Sequence, residues 1–175
     1  MSALKPAIDR PALSGAARTR IEREAAKYPP EQRQSAVMSA LAIAQDEHGW
    51  LPDEVMEEVA KVLGMAPVHV YEVATFYNMY HLKPLGRHKV VICTNLPCAL
   101  SGANEAADHL KRRLGVDFNE TSADGAVTLK EGECMGACGD SPVLIVDNKR
   151  MCGFMSNEKL DALLDELQAK TELKK

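Results

Sequence analysis

Residues 93–98, Cys93-Thr94-Asn95-Leu96-Pro97-Cys98, and residues 134–138, Cys134-Met135-Gly136-Ala137-Cys138, contain four of the chain's five cysteines. The spacings are C-x4-C and C-x3-C, each short enough for one loop to aim two thiolates at a common point. The pairs lie far apart in sequence, so a fold that uses them together must bring two loops to one place. Four thiolates on a chain without secretory features point to a metal centre. Structural zinc favours the tighter C-x2-C knuckle, which neither pair has. Disulfides suit an even set of cysteines but not the reducing cytosol. An iron–sulfur cluster fits the wider loops, because two irons bridged by sulfides take one cysteine pair each. Spacing alone leaves all three readings open, in the order cluster, zinc, disulfide.

The neighbours of the thiols weigh toward the cluster. Gly132, Gly136 and Gly139 surround the second pair, and glycine lets backbone N–H groups approach sulfur without a Cβ in the way. The same glycines also suit plain tight turns. A Rieske centre needs two histidines on one iron. His88 and His109 are the nearest, and neither stands at ligand spacing from a cysteine.

Residues 89–103, KVVICTNLPCALSGA, and 131–143, EGECMGACGDSPV, resemble the two cluster loops of the thioredoxin-like [2Fe–2S] ferredoxins. Within that group the resemblance is strongest to the members that serve bacterial NADH:quinone oxidoreductase, respiratory complex I. Residues 73–84, VATFYNMYHLKP, resemble the link in those members between N-terminal helices and ferredoxin domain. The resemblance implies one [2Fe–2S] cluster on Cys93, Cys98, Cys134 and Cys138. It also implies a flavin- and NADH-binding partner subunit, with FMN and NADH carried there, and further subunits of the hydrophilic arm. Related subunits serve NAD-linked formate dehydrogenases and hydrogenases, which is the alternative setting. A zinc-stapled adaptor without a redox role is the reading of a different class.

Composition sets outer limits. The 175 residues are 46% hydrophobic and 26% charged, with a net charge of −4, as in an ordinary globular protein. No basic patch offers a footprint for nucleic acid or anionic membrane. No apolar run is long enough to cross a bilayer. The N-terminal residues MSALKPAIDRPALSG lack the apolar core of a secretory signal, and Asp9, Pro6 and Pro11 spoil an amphipathic presequence. The expected place is cytoplasmic, peripheral on the inner membrane through the complex. No G-x-G-x-x-G or Walker loop occurs, so the chain itself is not expected to bind NADH or FMN. With no nucleophile or substrate pocket evident, no catalytic residue is assigned.

Hydrophobic periodicity predicts an α+β chain in two parts, with a small helical bundle in residues 1–83 and a thioredoxin-like α/β domain in residues 84–175. Residues 1–13 read as a disordered or docking arm. Ser14 is placed to cap a first helix, which Tyr28-Pro29-Pro30 breaks. Further helices are predicted over 30–48, closed by Gly49, over 53–63, closed by Gly64, and from Pro67 to about Phe76. Trp50, Tyr71, Phe76, Tyr77 and Tyr80 are expected to anchor the bundle or a contact face, and His48, His69 and His81 to lie at the surface or cap helices.

Beyond the boundary at Pro84-Leu85-Gly86, the pattern reads β-α-β-β-β-α. It comprises a buried strand at 89–93, a helix carrying Ala103, Ala106, Ala107, Leu110 and Leu114, a polar turn at 119–125 and a strand at 126–130. A hairpin of 142–146 and 150–154 follows, then a helix from about Asn157 burying Leu160, Leu163, Leu164 and Leu167. Both cysteine loops are expected on one edge of the sheet, and Cys152 is read as a small buried apolar residue. Residues 170–175 read as a frayed tail. A centre with four thiolates exchanges single electrons at a potential of about −400 mV, the order of plant-type ferredoxins.

Overall fold

The structure, a computed structural model, describes residues 12–169. It divides into two compact units, Met1–Pro84 and Leu85–Lys175. The first is helical: α1 (Gly15–Ala25), a 3-10 segment (Pro30–Ala36), α2 (Val37–His48), α3 (Asp53–Leu63) and α4 (Pro67–Phe76). The Ser14 hydroxyl caps α1 by accepting the amide of Ala17 at 3.1 Å, which satisfies a donor that the first turn leaves free. Gly49 (φ +80°) and Gly64 (φ +68°) end α2 and α3 in the left-handed region, where a Cβ would be strained.

Several local expectations are corrected. The predicted helix over 30–48 is two segments. Residues 30–35 are mostly polar and exposed and only Ala36 is buried, so little packing holds them in α geometry, and Gln32 (φ −116°, ψ 18°) interrupts the turn. The N-terminal arm is disordered neither at Ala12 nor at Leu13. Leu13 is buried in the bundle core, and the Ala12 carbonyl meets His48 Nε2 at 2.8 Å. Residues 1–11 and the predicted tail, 170–175, lie outside the described residues. His81 is not at the surface but buried. The Gln45 side chain holds the backbone there, accepting the His81 amide at 2.7 Å and donating to the Met79 carbonyl at 2.9 Å. Tyr80 lies between them in sequence and donates its hydroxyl to the Met38 carbonyl at 2.8 Å. Burial, with Tyr77 adding to it, pushes that phenol up to about 12. Tyr80 thus anchors the bundle core and Trp50 is buried, whereas Tyr71, Phe76 and Tyr77 are exposed.

The second unit is built on β1 (His88–Cys93), α5 (Leu96–Leu100), α6 (Ala103–Leu114), β2 (Glu120–Thr121), β3 (Val127–Gly132), β4 (Leu144–Val146), β5 (Arg150–Cys152) and α7 (Asn157–Ala169). The sheet order is β2-β3-β1-β4-β5. β1 runs parallel to β3, with His88 opposite Val127 and Cys93 opposite Gly132, and antiparallel to β4. Alternate residues of the three central strands, Val90, Ile92, Val127, Leu129, Leu144 and Val146, pack into one core with the buried faces of α6 and α7. This is the thioredoxin-like α/β arrangement. The edge strand β2 falls inside the expected polar turn. Its two residues are exposed and carry no apolar alternation, so only their pairing with Thr128 and Leu129 reveals it. β5 ends at Cys152, short of the predicted Phe154.

The strand expected to be buried includes a cation, and the structure shows how it is accommodated. Lys89 is only 4% exposed, and its ammonium donates to Asn148 Oδ1. Asp147 and Asn148 turn the β4–β5 hairpin at φ +52° and +57°, a conformation Asn and Asp tolerate better than most residues. Asp147 ties that turn to β1, meeting the Lys89 amide at 2.7 Å and His88 Nδ1 at 2.8 Å. Burial draws the Lys89 ammonium down to about 8, Lys130 adding to the effect and Asp147 opposing it. The unfolded chain holds this proton up to the ordinary value of 10.5, so between the two values it binds more protons than the folded chain and stability rises with pH. Denaturant titrations of wild type and Lys89→Met across that window test this. The wild type should gain stability with rising pH relative to the variant, and parallel curves would show that Lys89 titrates normally.

Candidate metal centre

Parallel pairing decides where the cysteines go. β1 and β3 end at the same end of the sheet, and the last register pair is Cys93 with Gly132. The loop carrying Cys98 leaves β1 at that point, and the loop carrying Cys134 and Cys138 leaves β3 beside it. Because β1 is the middle strand of five, the loops sit at an end of the sheet and not on its edge, as the sequence had suggested. The Thr94 amide donates to the Gly132 carbonyl at 3.1 Å, and the Thr94 hydroxyl donates to Glu131 Oε1 at 2.7 Å.

The structure brings Cys93 and Cys98 together in a small apolar nest with Ala103 and Val143, against which Met135 and Ala137 of the second loop pack. Cys93 and Cys98 are each 2% exposed, whereas Cys134 and Cys138 are exposed. Cys98 lies in α5, a one-turn helix that opens on Pro97 in its first turn, a position proline tolerates. Cys138 opens a 3-10 turn, Cys138–Asp140. The Cys93 thiol donates to the Glu133 carbonyl at 3.6 Å, so the second loop closes over the first thiol. All five cysteines are free thiols. Among the described residues, no three Cys, His, Asp or Glu side chains are gathered closely enough to hold one ion. The loops therefore meet, while the four sulfurs stand as a buried pair and an exposed pair.

Backbone amides are aimed at sulfur on both loops. Gly136, at φ +69°, donates its N–H to Cys134 Sγ at 3.4 Å. Burial pushes the Cys93 thiol up, the Asn95 amide pulls it down, Cys98 pushes it up again, and the Met135 amide opposes. An all-sulfur donor set with amide donors suits thiolates bound to iron, since such hydrogen bonds offset thiolate charge. The residues present fit a [2Fe–2S] cluster by that chemistry.

The histidines are committed elsewhere. His88, at the far end of β1, bonds Asp147 at 2.8 Å, and His109 on α6 bonds Asp161 of α7 at 2.9 Å. Cys152 is half-buried and packs against the sheet core. Sequence reasoning gave Gly132 to amide approach or a tight turn, whereas the structure makes it the last residue of β3, where room for a side chain is lacking. A Cβ there would stand 2.8 Å from Val91 Cγ1 and 3.1 Å from Met135 Cε. Gly132→Ala should therefore cost about 1–3 kcal/mol of stability and reduce iron incorporation, measured by denaturation and iron analysis. Wild-type values for both would show that the loops can give way.

The sequence matches the family profile described as thioredoxin-like [2Fe–2S] ferredoxin over residues 21–168. It is 47% identical to the E 2 subunit of NADH-quinone oxidoreductase from Rhizobium meliloti (strain 1021), over 87% of this chain and 89% of that protein. It is 38% identical to NADH-quinone oxidoreductase subunit 2 of Thermus thermophilus, over 85% of this chain and 82% of that one. Among solved structures, an NAD+-reducing [NiFe]-hydrogenase in the H2-reduced state superposes with a TM-score of 0.64 at 19% identity, over 74% of this chain and 22% of that chain. That likeness speaks for the fold alone. Fold, cysteine loops and relatives agree: this chain belongs to the thioredoxin-like [2Fe–2S] ferredoxin family.

Proposed function

We propose that this chain is the electron-transfer subunit of an NADH–quinone oxidoreductase and that Cys93, Cys98, Cys134 and Cys138 together hold one [2Fe–2S] cluster. The observation that carries the reading is the Cys93–Gly132 register, which seats both cysteine loops side by side. When bound, such a cluster supplies one-electron exchange. The chain's own residues shield Cys93 and Cys98 from water and direct the amides of Asn95, Met135 and Gly136 at the sulfurs. NADH delivers its electrons as a pair, and this chain has no nucleotide loop. NADH oxidation therefore belongs to a flavin-bearing partner subunit, with further hydrophilic subunits completing the complex. No helix among the described residues is long and apolar enough to cross a membrane. A peripheral position on the cytoplasmic side follows from membership of such a complex.

Protein purified from its native source should contain two irons and two acid-labile sulfides per chain and give a [2Fe–2S] paramagnetic resonance signal on reduction. Serine at Cys93, Cys98, Cys134 or Cys138 should destabilise or abolish that signal, and Cys152→Ser should leave it intact. Dithionite should reduce the isolated chain and NADH should not, until the flavin-bearing subunit is added. Stoichiometric zinc without sulfide, or rapid NADH oxidation by the isolated flavin-free chain, would end the reading.

The units are further proposed to be separable domains. A fragment of residues 84–175 should fold and take up the cluster under anaerobic reconstitution, losing only docking. A colourless or insoluble fragment would mean that the helical residues complete the ferredoxin core.

A further inference from the structure

Ser141 follows the turn that Cys138 opens, and its hydroxyl has no use within the chain. The oxygen is buried and makes no hydrogen bond, although the residue as a whole is only half-buried. Ser141 therefore shows other atoms to solvent and keeps its polar one inside. Among the described residues of the second unit, no other buried side-chain oxygen or nitrogen is left without a hydrogen bond. A buried hydroxyl without a partner is less favourable than an alanine in the same space, so packing does not explain a serine here.

The surroundings indicate the partner. The Ser141 amide donates to the Cys138 carbonyl at 3.4 Å. Two residues on, the Val143 carbonyl accepts the Cys93 amide at 3.0 Å, and Val143 packs in the nest that holds Cys93 and Cys98. Ser141 also shares a surface groove with Ser101 and Gly102, and the Ser101 amide donates to the Cys98 carbonyl at 3.0 Å. Water in that groove does not reach the Ser141 oxygen, which is buried. The residue thus stands where the backbone segments carrying Cys93, Cys98 and Cys138 converge.

Sulfur at this place is an acceptor in need of donors. Thiolates and bridging sulfides accept hydrogen bonds, and such bonds are a lever on reduction potential. A serine hydroxyl supplies one donor and rotates it toward the acceptor at hand. Ser101 cannot serve instead, because its hydroxyl already donates to the Pro97 carbonyl at 3.0 Å.

We propose that the Ser141 hydroxyl donates a hydrogen bond to a sulfur of the cluster, bridging sulfide or cysteine thiolate, and thereby raises its reduction potential. This rests on the cluster reading above. Reduction adds negative charge to the sulfurs, so the bond is stronger in the reduced state and favours it. Ser141 keeps its proton in both states, and only the electron moves.

The test uses the cluster-loaded full chain. Ser141→Ala should load iron and sulfide as the wild type does. At a fixed solution potential its ratio of reduced to oxidised cluster should fall about two- to tenfold, a midpoint lower by about 20–60 mV for one electron. Ser141→Gly deletes the same hydroxyl by a second route and should agree, while Ser141→Thr keeps the donor and should retain the wild-type midpoint. Pulsed paramagnetic resonance of the reduced chains in water and deuterium oxide should show one coupled exchangeable hydrogen fewer in the alanine variant. Ser101→Ala removes a hydroxyl that is already bonded and should change neither readout. A wild-type midpoint with unchanged couplings in Ser141→Ala, or an equal fall in Ser101→Ala or Ser141→Thr, would overturn the assignment. Failure of the cluster reading itself looks different, since the wild-type chain would then contain no iron or sulfide and both readings would fall together.

Discussion

The parallel pairing of β1 with β3 is the constraint on which the site depends. Had the two strands run antiparallel, Cys93 and Cys134 would leave the sheet at opposite ends. In parallel, each strand delivers its cysteine loop to the same end, and the register brings Cys93 level with Gly132. A parallel pair requires a long crossover, and the segment through α5, α6 and β2 supplies it. That crossover also covers one sheet face with the alanine and leucine stripe of α6. The apolar core and the cysteine site therefore share a cause.

At the cysteine end the structure trades packing for exposure. Cys93 and Cys98 lie in an apolar nest, while Cys134 and Cys138 sit on a turn open to solvent. Backbone amides, not charged side chains, face the sulfurs. Glycine makes that possible at two positions in different ways. Gly136 supplies a positive φ and an amide toward Cys134, and Gly132 supplies room beside Val91. The opposite end of β1 is polar. There Asp147, His88 and Lys89 tie the hairpin turn to the central strand, so β1 is held at one end by partly buried polar bonds and at the other by the thiol nest.

Much of the chain was legible because each element carries its own local signal. Ser14 caps α1, Gly49 and Gly64 end their helices, and the stripes Ala106–Leu114 and Leu160–Leu167 are buried as their spacing implies. Signals that depend on partners were not legible. β2 exists only through its pairing with β3. Pro30–Ala36 is helical by composition, yet tightens to 3-10 where packing is thin. His81 read as a surface or capping residue yet is buried, and Lys89 lies in the strand expected to be buried, where only the Asn148 bond to its ammonium shows how a cation is tolerated there.

By itself the sequence determined the chemistry of this protein: two cysteine pairs at fixed spacing, a helical half, an α/β half and the family to which they belong. These are local facts, since cap, stripe and ligand spacing are set within a few residues. Tertiary structure alone decided that both loops share an end of the sheet and not an edge, that Cys93 and Cys98 are buried while Cys134 and Cys138 face water, and that Phe154 is turned outward. Each of those depends on strand order, register or a close backbone approach such as Gly153 against Asp140. Contacts between residues distant in the chain have no period or spacing in the sequence from which they could be read.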